Sequence, residues 1–458
     1  MMTKTFDAIV IGAGQAGPSL AGRLTAAGMN VALVERHLFG GTCVNTGCMP
    51  TKALVASAQV AHQARRAADF GVTIGGGVSV DMPAVKARKD VVATAARRNV
   101  EKWLRGMERC TVYQGHARFV SAHELRIGDE LIAAERIFVN AGGRALVPDM
   151  PGVDRVPYLT NTSILELDVL PRHLVVVGGS YIGLEFAQMY RRFGSEVTVI
   201  EKGPRLIQRE DEDVSAAIRT ILENEGITIR TDADCIRFEP RGRDIAVGVD
   251  CAAGPSEIVG SHVLLAVGRR PNTDDLALDK AGVALDRHGY ITVDDELRTN
   301  VPGIWALGDC NGKGAFTHTA YNDFEIVAAN LLDGGARRVS DRIPCYGLFI
   351  DPPLGRAGLT ERDARAGGRK VLVGMRPMTR VGRAVEKGET QGFMKVVVDA
   401  ASHAILGAAI LGVGGDEAVH GILDVMAAKA PYTVLQQTVH IHPTVSELIP
   451  TMLGELRA

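Results

Sequence analysis

Near the amino terminus the hydrophobic pattern runs FDAIVIGAGQAG, passes through a helical stretch, and ends AAGMNVALVE. The same order returns much later as HLVVVGGSYIG followed by RFGSEVTVIE. Each copy predicts an apolar strand, a glycine-rich turn, a helix, and a second strand closing on an acid. The step from Gly12 to Glu35 is 23 residues, and the step from Gly178 to Glu201 is also 23. One glycine fingerprint is a weak signal. Two copies with matching strand, helix and terminal acid predict two dinucleotide-binding βαβ units. In such a unit Gly12 permits the tight turn, Gly14 lets backbone approach a pyrophosphate, and Gly17 lets the helix pack close to the sheet. The pyrophosphate then meets the positive end of the helix. Gly178 and Gly183 match the outer glycines in the second copy, and Ser180 replaces the middle one. Glu35 and Glu201 are placed to accept ribose hydroxyls. A carboxylate at position 201 favours a free 2′-hydroxyl and therefore NADH, although Lys202, Arg205 and Arg209 are nearby cations that would tolerate NADPH.

Between the repeats, residues 53–110 are rich in Ala, Arg and Val and predict exposed amphipathic helices. Residues 111–147 alternate like strands, and PDMPGV at 148–153 predicts a hinge. After AVGRRPNT, the stretch ITVDDELRTNVPGIWALGDC predicts two short strands and a turn. From about residue 340, strand runs such as MKVVVD and AILGAAIL precede helical stretches, as in a separate α+β domain.

Composition narrows the function. A chain of 458 residues allows several domains, and 46% hydrophobic with 23% charged content is ordinary for a globular protein. A net charge of −2 leaves no electrostatic footprint for nucleic acid or an anionic membrane. No apolar run reaches the ~18 residues of a membrane span. The first apolar run meets a glycine turn, not a cleavage site, so a first strand is expected there, and a cytoplasmic location. Seven cysteines do not make a disulfide scaffold in a chain this long.

Two of those cysteines demand an explanation. Cys43 and Cys48 lie in GGTCVNTGCMPTK, closed by Pro50 and Lys52. Binding a metal, stapling the fold and carrying electrons are the three uses open to such a pair. A zinc site wants further Cys or His ligands at short spacing, and this window has none; no metal is expected. In an ideal helix residues 43 and 48 are separated by about 7.5 Å of rise. A disulfide wants a Cα separation of roughly 4.4–6.8 Å. A bridge therefore requires a distorted segment, or Cys43 in a loop before the helix, and Gly47 and Pro50 ease either.

In order along the chain, GAGQAG, GGTCVNTGCMPTK, GLE in the second repeat, VGRRPNT, GIWALGD and HIHPTVSE together resemble the class I pyridine nucleotide-disulfide oxidoreductases. These flavoproteins include lipoamide dehydrogenase, glutathione reductase and mercuric reductase. The resemblance implies an α/β fold with two Rossmann-like domains and a carboxy-terminal α+β dimerisation domain. FAD would occupy residues 1–147 with 270–338, NAD(P)H residues 148–269, and the dimer interface residues 339–458. The resemblance also implies a homodimer whose active site is shared across subunits. It assigns Gly12, Gly14, Gly17, Glu35, Thr42, Lys52, Ala117, Asp309 and Thr317, the last beside His318, to FAD. It assigns Gly178, Ser180, Tyr181, Ile182, Gly183, Glu201 and Gly268 to NAD(P)H. Lys52 would lie beside the flavin N5 with Glu185 as its ion-pair partner, and Tyr181 would be an aromatic gate over the flavin.

By the same resemblance Cys48 is the flavin-facing thiol, Cys43 the interchange thiol, and His442 with Glu447 the acid–base pair given to the other subunit. The chemistry suits the residues. Thiolate attack on a substrate disulfide gives a mixed disulfide that the second thiolate resolves. Imidazole titrates near neutral pH and can protonate the leaving thiolate, with the acid orienting the ring. A lone histidine is otherwise a hydrogen-bonded core residue, and His440 is expected to be structural. Cys110, Cys235, Cys251, Cys310 and Cys345 are expected to be inert buried thiols. The last cysteine is Cys345, so the terminal cysteine pair of mercuric reductases is missing. Tyr181, GCMPTK and FIDPP also depart from the lipoamide dehydrogenase pattern. The expected reaction passes electrons from NAD(P)H through FAD and the Cys43–Cys48 pair to a small disulfide or oxidised sulfur compound. Dihydrolipoamide dehydrogenase is the first alternative, and a Hg(II), Cu(II) or quinone reductase the second. The nearest pattern is a mercuric-reductase-like branch without the terminal cysteines.

Overall fold

The runs AIVI and VALVE, apolar on both faces, become buried parallel strands. In the computed structural model, which describes residues 3–250 and 256–458, strand β1 is Lys4–Ile11, helix α1 Ala16–Ala26 and strand β2 Val31–Glu35. A short helix α2, Gly41–Asn45, and the long helix α3, Cys48–Arg65, follow. The second repeat supplies strand β3, His173–Val177, helix α4, Tyr181–Phe193, and strand β4, Glu196–Ile200.

The chain divides into two units. The first takes the residues up to Ala53, Pro83–Leu146 and Gly268–Arg342. Its sheet runs Cys110–Gln114, β2, β1, Glu130–Val139, Glu124–Ile127, Ala117–Phe119, and Ile304–Ala306 also pairs with Glu130–Val139. The strands around β1 are parallel, which places their carboxyl ends, and the glycine turn after β1, on one edge. Ile9, Leu20, Leu33, Ile137 and Phe138 form the fully buried centre.

The second unit takes Leu54–Met82, Val147–Val267 and Ile343–Ala458. Its nucleotide-type sheet is parallel throughout, in the order Thr228–Arg230, β4, β3, His262–Leu265, Tyr158–Leu159. A three-stranded antiparallel sheet spans Asp234–Arg241, Asp244–Asp250 and Glu257–Gly260. The carboxy-terminal part is a five-stranded antiparallel sheet, ordered Cys345–Leu348, Leu354–Gly358, Ile405–Leu411, Phe393–Asp399, Val371–Pro377, packed on Gly415–Ala427 and Ile449–Leu453.

Several expectations are refined. Residues 53–110 are helical over α3 and Met82–Arg105, but 71–81 is irregular beyond a single 3₁₀ turn at Ala67–Phe70. The ITVDDELRTNVPGIWALGDC stretch forms one strand, Ile304–Ala306, plus isolated bridges. Asp286 and Asp294 take up backbone N–H groups that a ladder would need: Asp294 accepts from Glu296 and Arg298, each at 2.9 Å. Among the spare cysteines within the described residues, only Cys310 is buried. Cys110 and Cys345 are half-buried, and Cys235 is exposed at φ 50° where the register of its strand shifts. Cys251 lies outside the described residues. No helix among the described residues is long and apolar enough to cross a membrane.

Candidate active site

The two glycine turns make the same steric demands. Gly12 has φ +103° and Gly178 φ +116°. A Cβ on Gly12 would stand 2.3 Å from the Asn140 carbonyl oxygen, and one on Gly178 would stand 2.4 Å from that of Ala266. A Cβ on Gly17 would meet the Gly12 oxygen at 2.1 Å, and one on Gly183 the Gly178 oxygen at 2.0 Å. Only glycine fits these four positions. Gly14 is packed against Gly41 so closely that a Cβ on Gly41 would lie 2.7 Å from the Gly14 Cα. The terminal acids also repeat each other. Glu35 accepts the Ala13 N–H at 2.9 Å and the His37 N–H at 2.7 Å. Glu201 accepts Gly179 at 2.7 Å and Gly203 at 2.8 Å. Ser180 is the extended residue before α4, and Ile182 lies in its half-buried first turn.

The cysteine pair spans a break. The chain leaves α2 at Thr46, whose ψ of 19° is not helical, and re-enters at Cys48, the first residue of α3. A Cβ on Gly47 would lie 2.8 Å from the Thr42 oxygen, so glycine is needed at the junction. Pro50 sits in the first turn of α3, where its missing N–H costs nothing. The side chain of Asn45 donates to the Phe39 and Gly41 carbonyls, each at 2.9 Å, and fixes α2. Of the two geometries open to the sequence, the structure takes the distorted helix.

Cys48 meets the Thr317 hydroxyl at 3.0 Å. The neighbouring Cys43 thiol, followed by the Thr317 hydroxyl and the Lys52 charge, outweighs burial and brings the Cys48 thiol down to about 6. The neighbouring Cys48, together with burial, pushes the Cys43 thiol up. The first turn of an 18-residue helix favours the anion at Cys48 in the same direction.

Thr317 opens the helix Thr317–Leu332, and His318 stacks on Phe316 with ring centroids 5.3 Å apart. Asp323 in that helix is buried. It accepts the Gly308 N–H at 2.8 Å and the Asn311 amide at 2.9 Å, and it pairs with Arg342. Asp323 therefore ties the Asp309 loop to the Thr317 helix. Asp309 itself pairs with Arg269 at 3.3 Å, and Arg269 reaches the Thr42 hydroxyl at 3.5 Å and the Gly143 carbonyl. Ala117 is buried at the start of its strand. Sequence reasoning missed Asn140, Arg269 and Asp323. Arg269 lay inside the quoted VGRRPNT and Asp323 within the stretch AYNDFEIV, whereas Asn140 carried no signal.

In the second unit the Tyr181 ring stands edge-on to Tyr346, with centroids 5.3 Å apart, and beneath the Arg209 guanidinium at 5.8 Å. The Tyr346 hydroxyl donates to Glu210, whose other oxygen is 3.9 Å from Arg356. Glu210 and Arg356 are both fully buried, and burial holds the Glu210 carboxyl above its usual range despite the arginine. Burial also raises the Tyr181 phenol. Glu185 is buried on α4 and accepts the Phe349 N–H at 3.1 Å. Gly268, expected with the second repeat, begins the last segment of the first unit, where its carbonyl accepts the Leu146 N–H at 3.0 Å.

His442 Nδ1 meets both Glu447 oxygens, at 2.9 and 3.1 Å. Its side chain is 81% exposed, so it is no core histidine. Thr444 folds the turn between them, donating to the Ile441 carbonyl at 2.7 Å and accepting the Glu447 N–H at 3.2 Å. His440 Nδ1 bonds locally with the Thr438 carbonyl at 3.0 Å. Among the described residues, no three His, Cys, Asp or Glu side chains are grouped to hold a metal ion.

Residues 6–323 match the family model for pyridine nucleotide-disulphide oxidoreductases, and residues 345–453 match that family's dimerisation domain. The chain belongs to the pyridine nucleotide-disulfide oxidoreductases. The relatives of this oxidoreductase include the probable pyridine nucleotide-disulfide oxidoreductase RclA of Escherichia coli, 36% identical over 96% of this chain and 97% of the relative. Dihydrolipoyl dehydrogenase of Chlamydia muridarum is 34% identical over 98% and 96%. Mercuric reductase of Streptomyces lividans is 31% identical over 97% and 94%. Among solved structures, a Cu(II) complex of the HOCl-induced flavoprotein disulfide reductase RclA from E. coli superposes with a TM-score of 0.90 at 35% identity, covering 99% of both chains.

This oxidoreductase is thus an NAD(P)H-dependent flavoenzyme of the disulfide reductase class. Its own residues fit the two cofactors. Each glycine turn is a cradle that a single Cβ would fill, and each has a carboxylate fixed beneath it by two backbone N–H groups. When bound, FAD supplies the two-electron chemistry that links the nicotinamide to the disulfide.

Proposed function

We propose that Cys43 and Cys48 are the redox-active pair and that a small disulfide or oxidised sulfur compound is the acceptor. The polarised dithiol carries this reading: Cys48 is drawn down to about 6 and Cys43 pushed up. Cys48, ionised at neutral pH, is the thiolate suited to face the flavin. Cys43 holds its proton and needs a base before it can attack. The partner subunit's His442, oriented by Glu447, is suited to take that proton. Cys43 sulfur then bonds to one sulfur of the substrate, and the substrate's S–S bond breaks. The first leaving thiolate takes the proton back from the imidazolium. Cys48 thiolate attacks Cys43, closes the internal disulfide and expels the second product thiolate.

The first unit is assigned to FAD through Gly12, Gly14, Gly17, Glu35, Thr42, Ala117, Asp309 and Thr317, with Lys52 beside the flavin. The second is assigned to the nicotinamide cofactor through Gly178, Ser180, Ile182, Gly183 and Glu201, with Tyr181 as gate and Glu185 beside the nicotinamide. Glu201 offers a carboxylate and favours NADH over NADPH. The similarity to a copper-bound relative supports a second reading, in which the same thiols pass electrons to Cu(II).

A substrate panel separates these readings. Under NADH, turnover is expected with low-molecular-weight disulfides or oxidised sulfur compounds, and little with lipoamide or Hg(II). His442→Ala should cut disulfide turnover by roughly 10²–10⁴-fold while leaving flavin reduction by NADH intact. Dominant lipoamide turnover, or a Cu(II) rate that survives loss of all disulfide activity, would reverse the choice of acceptor.

A further inference from the structure

We propose that Thr317 is a working member of the thiol centre: its hydroxyl donates to Cys48 and favours the negative charge on that sulfur. The proposal rests on the reading of Cys48 as the flavin-facing thiolate. Its geometric basis is independent of that reading. The Thr317 Oγ1 lies 3.0 Å from Cys48 Sγ, across 269 residues of sequence. The hydroxyl therefore reaches the sulfur that opens α3.

A hydroxyl has one proton to donate and two lone pairs. Given to a thiolate, that proton makes a charge-assisted bond, stronger than one given to a neutral thiol. The pair holds one proton between two sulfurs when singly ionised. Thr317 then favours the arrangement in which its own proton points at Cys48. Lys52 adds to the bias toward Cys48. A serine could do the same work, and valine, of nearly the same shape, could not.

The hydroxyl is also held in place. Phe316, extended at φ −124°, precedes the helix. Thr319 Oγ1 donates to the Phe316 carbonyl at 2.8 Å and accepts its N–H at 3.1 Å. One turn further on, buried Asp323 locks the helix to Gly308, Asn311 and Arg342. Thr317 thus begins a helix whose first two turns are pinned by five side-chain contacts, so the hydroxyl is presented to Cys48 at little cost in ordering.

Two readouts test this on holoenzyme. In the NADH-reduced enzyme, the long-wavelength thiolate-to-flavin absorbance is followed against pH. In dithiol-reduced enzyme at neutral pH, iodoacetamide labelling of Cys48 and Cys43 is mapped by mass spectrometry. Thr317→Val and Thr317→Ala should each raise the pH midpoint of the band by about one unit, the size expected for loss of one charge-assisted hydrogen bond. Labelling should shift from Cys48 toward Cys43. Thr317→Ser should restore both values, with every variant compared at full FAD occupancy. Wild-type midpoints and labelling ratios in both Val and Ala variants would overturn the proposal, as would a shift with Val that Ala does not reproduce. Cys48→Ser is the control for the underlying reading. If it abolishes the band while the Thr317 variants change nothing, the proposal about Thr317 fails alone. If it keeps the band, the assignment of Cys48 fails and the proposal falls with it.

Discussion

At the residue scale, the protein differentiates two chemically identical side chains five positions apart. Cys48 opens a long helix, is hydrogen-bonded to the Thr317 hydroxyl, and is influenced by the Cys43 thiol and the Lys52 charge. Cys43 sits in the preceding short helix and is held protonated by the neighbouring Cys48 together with burial. The consequence is a pH-dependent selectivity. Below about 6 Cys48 is a thiol, and above it the reactive thiolate dominates. Alkylation of the reduced enzyme should therefore reach half its Cys48 rate near pH 6. Cys110, pushed up to about 11 by burial, and Cys310, pushed up to about 12, should stay unlabelled at neutral pH. Rapid labelling of Cys310 ahead of Cys48 would contradict this. The two cysteines were legible as a pair because their spacing and flanking glycines are local. Thr317 was legible only as a residue toward the flavin. Its bond to Cys48 is made across 269 residues, and the Arg269–Thr42 contact across 227, so no local pattern could announce either.

At the element scale, the strand–turn–helix–strand repeat was the most legible feature, because its geometry leaves so little choice of residue. The positive φ and carbonyl contact of Gly12 recur at Gly178, and the helix contact of Gly17 recurs at Gly183. Glu35 and Glu201 each collect two backbone N–H groups in equivalent places. The break between α2 and α3 was legible as a requirement, since a straight helix would hold the cysteines too far apart. Which of two distortions satisfied it was decided by contacts of Asn45, Gly47 and Thr42 that the pattern does not display. The predicted second strand near residue 294 failed because Asp286 and Asp294 bond the backbone locally. The repeats also make separable predictions. Gly12→Ala places a Cβ 2.3 Å from the Asn140 oxygen, and backbone strain alone should cost on the order of 1–3 kcal/mol. The variant should lose FAD on gel filtration. Gly178→Ala should keep FAD and raise the KM for NADH. Full FAD retention by Gly12→Ala would contradict the assignment of the first turn.

At the scale of the whole molecule, the proposed function gives each duplicated nucleotide fold one step of a single electron path. The first unit combines its glycine turn with the thiol centre and the Asp309–Arg269–Thr42 contacts. The second combines the other turn with Tyr181, Glu185 and the exposed His442–Glu447 pair. The carboxy-terminal residues 345–453 match the family's dimerisation domain, and the proposed mechanism relies on that dimer to bring an exposed histidine to the partner's thiols. Domain order and cofactor class were readable because each rests on a contiguous motif. Segments 54–82 and 343–458 join the second unit through tertiary packing alone, and no boundary residue marks it. The central claim is that electrons from NADH come to rest on Cys43 and Cys48, with Cys48 as the thiolate at the flavin. Anaerobic NADH titration of the wild type, Cys43→Ser and Cys48→Ser tests it most directly. The wild type should develop the long-wavelength thiolate-to-flavin absorbance as the first two electrons enter. Cys43→Ser should show that absorbance before any NADH is added, and Cys48→Ser should never show it. Persistence of the band in Cys48→Ser, or its absence from Cys43→Ser, would contradict the account.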